Sequence, residues 1–123
     1  MNIMILGASG FIGQHLTGAL VDHHQLHLVT RQLSRLKKLH AKHPKATPLT
    51  WKQLHSNPEL LKKMDIIILG STGSIGKNTL QVLKDYKKNI KILFLSTNNN
   101  IDELFHQAKE FKVKNVIINN LNN

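Results

Sequence analysis

Gly7, Gly10 and Gly13 stand three residues apart, and Gly70, Gly73 and Gly76 repeat that spacing further along the chain. Each set follows an apolar run and precedes an amphipathic stretch, the context in which a strand turns sharply into a helix. The first glycine permits the turn, the second lets a pyrophosphate approach the backbone, and the third lets the helix pack closely on the strand. The first N–H groups of such a helix have no intrahelical partner, and together with the helix dipole they favour an anion. Phosphate binding is therefore the chemistry expected of Gly7, Ser9, Gly10, Phe11, Ile12 and Gly13, and again of Gly70, Ser71, Thr72, Gly73, Ser74, Ile75 and Gly76. The hydroxyls of Ser9, Ser71 and Thr72 suit bonds to phosphate oxygens better than nucleophilic attack, since the sequence places no base to activate them. The competing reading of either loop is an ordinary strand-to-helix turn.

A site for an unphosphorylated nicotinamide dinucleotide usually carries Asp or Glu after the second strand, to bind the ribose hydroxyls. Here Thr30 is followed by Arg31, with Arg35 four residues on. A guanidinium at that place pairs with a 2′-phosphate. The first half thus reads as preferring NADP(H), unless Arg31 is simply a surface residue at the strand end. His23, His24 and His27, with His40 and His43, raise the question of a metal. Asp22 is the one carboxylate nearby, so exposed histidines and no metal site are expected. With no cysteine in the chain, disulfides, thiolate zinc sites and a cysteine nucleophile are excluded.

The elements that must position the loops follow from hydrophobic periodicity. Strands are predicted at 2–6, 25–30, 47–50, 65–69, 90–95 and 113–118, and helices at 10–21, 33–43, 58–63, 74–86 and 101–111. Pro58 after Asn57 suits a helix start, because proline at the first helical position loses no bond the helix would make. Strict alternation of strand and helix predicts an α/β fold: a Rossmann-like doubly wound parallel sheet of six strands in order 3-2-1-4-5-6, with helices on both faces. Trp51 and Phe94 are expected in the core or on a sheet face. One domain over residues 1–118 is expected, as two halves, 1–64 and 65–118, with 119–123 a frayed tail.

A formal charge of +10 over 123 residues favours polyanions. The basic residues are nevertheless dispersed over predicted helix faces, as in Arg35, Lys37, Lys38 and Lys42 or Lys84, Lys87 and Lys88, with little aromatic interleaving. A solvated surface is the better reading, and nucleic acid is disfavoured as a partner. No apolar run approaches the ~20 residues that span a bilayer, and no secretory signal opens the chain, so a cytoplasmic protein with no membrane partner is expected. The expected partner is a small-molecule dinucleotide; oligomeric state is left open.

Residues 3–13, Ile-Met-Ile-Leu-Gly-Ala-Ser-Gly-Phe-Ile-Gly, recur in outline at 66–76 as Ile-Ile-Ile-Leu-Gly-Ser-Thr-Gly-Ser-Ile-Gly. The halves differ in composition: every histidine but His106, and all three prolines, precede Met64. Two sources fit that contrast better than a recent duplication. Residues 1–64, with the loop from Gly7 to Gly13 and then Val29-Thr30-Arg31, resemble the extended short-chain dehydrogenases, particularly the sugar-nucleotide-epimerase-like members. Residues 64–118 resemble the N-terminal, NADPH-binding part of 1-deoxy-D-xylulose 5-phosphate reductoisomerase, an enzyme of isoprenoid biosynthesis. The loop Leu69-Gly70-Ser71-Thr72-Gly73-Ser74-Ile75-Gly76 carries that likeness, which continues through Asn78-Thr79-Leu80 and the strand from Lys91 to Ser96.

What these resemblances imply is cofactor binding without chemistry. In the second, Asn100 matches an asparagine placed after the family's second strand, and so joins the cofactor-binding residues; Asn99 stands where a basic residue often precedes it. The first family's Tyr-x-x-x-Lys pair has no counterpart, since Tyr86 is followed four residues later by Ile90. Nothing after Val113 resembles the acidic metal cluster of the second, so no catalytic residue and no metal ligand is assigned. The segment from Leu60 to Ile68 reads as the fourth strand of one family or the first of the other, so both fragments share one structural position. The resulting expectation is a hybrid dinucleotide-binding domain, engineered or recombined. The alternatives are a fragment of an NADPH-dependent oxidoreductase that needs further domains, and a purely structural assembly without binding.

Overall fold

The computed structural model describes residues 1–8, 10–30, 33–86 and 90–119. Six strands, β1 (Asn2–Leu6), β2 (Gln25–Thr30), β3 (Thr47–Thr50), β4 (Asp65–Ile68), β5 (Lys91–Thr97) and β6 (Asn115–Ile118), alternate with five α-helices. These are α1 (Phe11–Leu20), α2 (Leu33–Lys42), α3 (Trp51–Ser56), α4 (Ser74–Leu83) and α5 (Ile101–Phe111). The strands form one sheet in the order β3-β2-β1-β4-β5-β6, every neighbouring pair parallel. This is the doubly wound order expected from the alternation of elements.

β1 and β4 read as continuous apolar runs because central parallel strands are covered on both faces. Ile3, Met4, Ile5, Leu6 and Ile66 to Ile68 are all buried. The two strands pair from Ile3 with Asp65 to Leu6 with Ile68, which seats the two glycine loops side by side at the carboxyl edge. On one face Met4, Leu6, Ile66 and Ile68 pack with Leu54 of α3, Leu80 and Leu83 of α4 and Leu104 of α5. On the other, Ile3, Ile5 and Ile67 pack with Leu39 of α2 and Leu16 and Leu20 of α1. Among the described residues no helix is long and apolar enough to cross a membrane.

Four local expectations are corrected. Trp51 opens α3, a helix absent from the periodicity reading. The helix is set by a capping box in which the Thr50 hydroxyl accepts from Gln53 N–H at 3.1 Å and the Gln53 side-chain oxygen accepts from Thr50 N–H at 2.8 Å. Pro58–Lys63 is a 3₁₀ helix, the tighter geometry that suits a short connection. α4 ends at Leu83 and continues as a 3₁₀ turn over Lys84–Tyr86. β6 begins at Asn115, two residues late, because Lys112 takes the left-handed conformation (φ +56°) and Val113 N–H donates to Ala108 O at 2.8 Å, closing α5. Phe94 does lie half-buried on the sheet face, beside a bulge between the pairs Ile66/Ile92 and Ile67/Phe94. Lys87 and Lys88, and the predicted tail beyond Asn119, lie outside the described residues.

Candidate functional site

The two loops have the same backbone. Gly7 (φ +84°) and Gly70 (φ +70°) occupy the left-handed region that a side chain disfavours, so both turns depend on glycine. Gly10 and Gly73 are the N-caps of α1 and α4 at nearly identical angles, φ −75° and −77° with ψ 175° in both. A Cβ on Gly76 would lie 2.5 Å from the Gly70 carbonyl oxygen, and one on Gly13 would press on that of Gly7, so each helix start sits tight on its turn. Among the described residues no side chain closes either N-cap, and neither helix carries an acidic residue in its first turn. Two uncapped helix N-termini therefore stand at neighbouring strand ends, with the polarity that attracts an anion.

The loops are joined and differ in what lies in front of them. Leu69 N–H donates to Leu6 O at 3.0 Å, and a Cβ on Gly7 would come 2.7 Å from Leu69 O, so the first turn packs against the second. A Cβ on Gly70 would meet nothing within 4 Å, which leaves open space for a ligand at that turn.

A cleft of about 360 Å³ opens there, at the carboxyl edge between β1 and β4. This is the switch point where open α/β sheets bind ligands. The second half contributes Gly70, Gly73, Ser74, Ile75 and Gly76 to its wall, and Thr79 below them. The first half contributes Gly7, the end of β2 at Val29 and Thr30, the exposed Arg35 of α2 and the half-buried Trp51 of α3. The structure thus brings Gly7, Arg35 and most of the second loop into one wall. Gly10, Ile12 and Gly13 stand at the start of α1. Ser9, Arg31 and the side chain of Phe11 lie outside the described residues. Trp51 and Thr79 were missed as lining residues; the Thr50-x-x-Gln53 cap was the available signal that Trp51 begins a helix at this edge.

Ser71, Thr72 and Asn100 each have partners within the protein. Ser71 is fully buried; its hydroxyl donates to Gln107 Oε1 at 2.7 Å, and Gln107 Nε2 donates to Ser71 O at 3.0 Å. The expectation that this hydroxyl bonds phosphate is corrected: it ties the loop to α5. Ser96 completes the clamp, its hydroxyl accepting from Gly70 N–H at 2.9 Å and its carbonyl from Ser71 N–H at 2.8 Å. The Thr72 hydroxyl lies 2.7 Å from that of Thr97, whose oxygen accepts from Asn100 N–H at 3.2 Å. Asn100 itself caps α5, its side chain accepting from Glu103 N–H at 3.4 Å.

The histidines are also partly corrected. His23 and His40 are exposed, but His24, His27 and His43 are half-buried. Burial lowers the pKa of His27 below its ordinary 6.5. Among the described residues no three of His, Asp and Glu are placed to hold a metal ion.

Comparison with known proteins supports the resemblance of the second half by sequence, and the fold of the whole chain by structure. The family model of 1-deoxy-D-xylulose 5-phosphate reductoisomerase matches residues 66–123. The reductoisomerase of Pelagibacter ubique is 51% identical over 57 residues, which cover 46% of this chain and 15% of that protein. The chain thus spans a small part of the curated relatives it matches. In fold, it is similar to Gre2 from Candida albicans, with a TM-score of 0.61 and 17% identity over 80% of this chain and 36% of that one. It is likewise similar to the yeast methylglyoxal/isovaleraldehyde reductase Gre2, solved with NADPH, with a TM-score of 0.58 and 18% identity over 80% and 37%.

Proposed function

We propose that the chain binds NADP(H) in the cleft between β1 and β4 and, on its own, does not turn it over. One observation carries this reading: the uncapped N-terminus of α4 and the guanidinium-bearing Arg35 bound the same cleft at the switch point of the sheet. The residues suit the cofactor. The open turn at Gly70 and the N–H groups at the start of α4 would hold the pyrophosphate, and Arg35, with Arg31, would pair with the 2′-phosphate. The match of the second half to an NADPH-dependent family, and the fold shared with an NADPH-complexed reductase, support the same cofactor. When bound, the nicotinamide supplies a hydride. Among the described lining residues there is no Asp, Glu, His, Lys or Tyr to exchange a proton with a substrate.

The hybrid character belongs to this reading. The family match begins at Ile66, inside β4, where the internal repeat also restarts. Two dinucleotide-binding halves of different descent then share one sheet, with the cofactor site at the seam, in a protein of the cytoplasm. A second reading is favoured by the 51% identity over a stretch that is 15% of the relative: the chain acts as the cofactor-binding part of a larger oxidoreductase. Oxidation of NADPH with a carbonyl substrate that appears only when the remaining domains of such a relative are added to the chain would favour that second reading over the first.

The test is a titration with NADPH, followed by cofactor fluorescence and repeated with NADH. Saturable binding that prefers NADPH, and loses that preference in Arg35→Ala or Arg31→Ala, is the expected result. Removing one charge-assisted phosphate contact should weaken NADPH about 10-fold or more and leave NADH nearly unchanged. No binding at millimolar cofactor would overturn the proposal.

A further inference from the structure

Trp51 is the largest side chain at the carboxyl edge, and it is only half-buried, whereas Leu54 and Leu61 beside it are 2% and 1% exposed. It bounds the cleft above and the apolar core below. On the core side a gap of only about 10 Å³ lies between Trp51 and Leu54, His55, Leu61, Thr79 and Val82, too small to matter to a ligand. Its backbone is fixed at the first position of α3 by the Thr50 and Gln53 cap, and its ring is flanked by that of His55, the centroids 5.5 Å apart at 41°. An aromatic residue packed on its core side therefore lines the cleft whose other walls are a glycine loop at a helix N-terminus and an arginine. Those three features together fit a molecule with a planar apolar ring and phosphate groups.

We infer that the indole of Trp51 is the platform on which the base of a bound nucleotide stacks, the phosphate of that nucleotide lying at the Gly70 to Gly76 loop. The inference rests on the proposed function and adds the ring contact to it. It also makes the site a joint product of the two halves: the base rests on the first half and the phosphate on the second. Stacking on an aromatic face tolerates any base, so the platform contributes affinity, and Arg35 with the loop contributes selectivity for phosphate.

Trp51 is the chain's single tryptophan, so its emission reports this ring alone. The full chain is titrated with adenosine 2′,5′-bisphosphate, which has the base and two phosphates but no nicotinamide, while NADPH binding is followed separately by cofactor fluorescence. Saturable quenching of Trp51 is expected. In calorimetry, Trp51→Leu is expected to weaken bisphosphate binding roughly 10- to 100-fold, and Trp51→Phe, which keeps an aromatic ring, to weaken it less. Circular dichroism and a cooperative urea transition establish that each variant is folded; should Trp51→Leu fail to fold, equal binding of the bisphosphate by Trp51→Phe without any quenching in the parent chain would overturn the platform. Unchanged bisphosphate affinity in a folded Trp51→Leu, with NADPH still bound, would overturn the platform and leave the proposed function standing. Binding of neither ligand to the parent chain would overturn both.

Discussion

Gln107 is 4% exposed, and its amide meets both the hydroxyl and the carbonyl of Ser71. Removing it takes the Gln107 donor from the Ser71 carbonyl and leaves the Ser71 hydroxyl only its longer bond to Ser96 O at 3.3 Å, in a dry environment where an unmade bond costs more than a made one contributes. Gln107→Leu is expected to lower stability by ~1–3 kcal/mol in urea unfolding. Because the clamp fixes the turn at Gly70, the variant should also weaken NADPH while folded; unchanged stability and binding would show that the clamp does not hold the loop. Gln107 was not legible as a loop partner, since it sits in an amphipathic helix pattern and its partner is 36 residues away. The glycines were legible for the opposite reason: left-handed φ at Gly7 and Gly70 is a local demand that the residue type itself displays.

Elements position these residues, and their ends decide the detail. α1 and α4 begin alike, yet they leave the sheet on opposite faces, so two similar sequences present their N-termini to the switch point from different sides. α2 carries Arg35, Lys37, Lys38 and Lys42 exposed, a cationic helix beside the cleft that would draw an anionic ligand toward it. α5 closes on Lys112, a non-glycine residue in the left-handed conformation. Lys112→Gly relieves that strain, and with its side chain exposed little packing is lost. The substitution is expected to raise stability by about 0.5–1 kcal/mol, read as a higher urea midpoint at unchanged slope. A lower midpoint would mean that the lost freedom of the unfolded chain outweighs the relief.

At the scale of the molecule, the seam between halves runs through the middle of the sheet, where β1 and β4 pair over four residues and the Leu69 amide reaches back to Leu6. Ile5 and Ile67 share the core of one face, and Met4, Leu6, Ile66 and Ile68 that of the other. Splitting the halves would expose both central strands. A single unfolding transition is therefore expected in urea, with Trp51 emission, which reports the first half, superimposing on far-ultraviolet circular dichroism, which reports both. Two resolved transitions, or a Trp51 signal that changes apart from the rest, would mean independently folding halves.

The order of the elements, the parallel sheet and the two glycine turns were determined by the sequence itself, because each depends on local periodicity or on glycine at a fixed place. Arg35 was legible from its position just past the second strand. Tertiary structure alone decided that Arg35, Trp51 and the second loop bound one cleft, since these residues lie on three different elements and meet only when β1 pairs with β4. It also decided that Ser71 turns inward to Gln107 instead of outward to a ligand. A hydroxyl in a loop can satisfy either partner, and only the packing of α5 against the end of β5 supplies the nearer one.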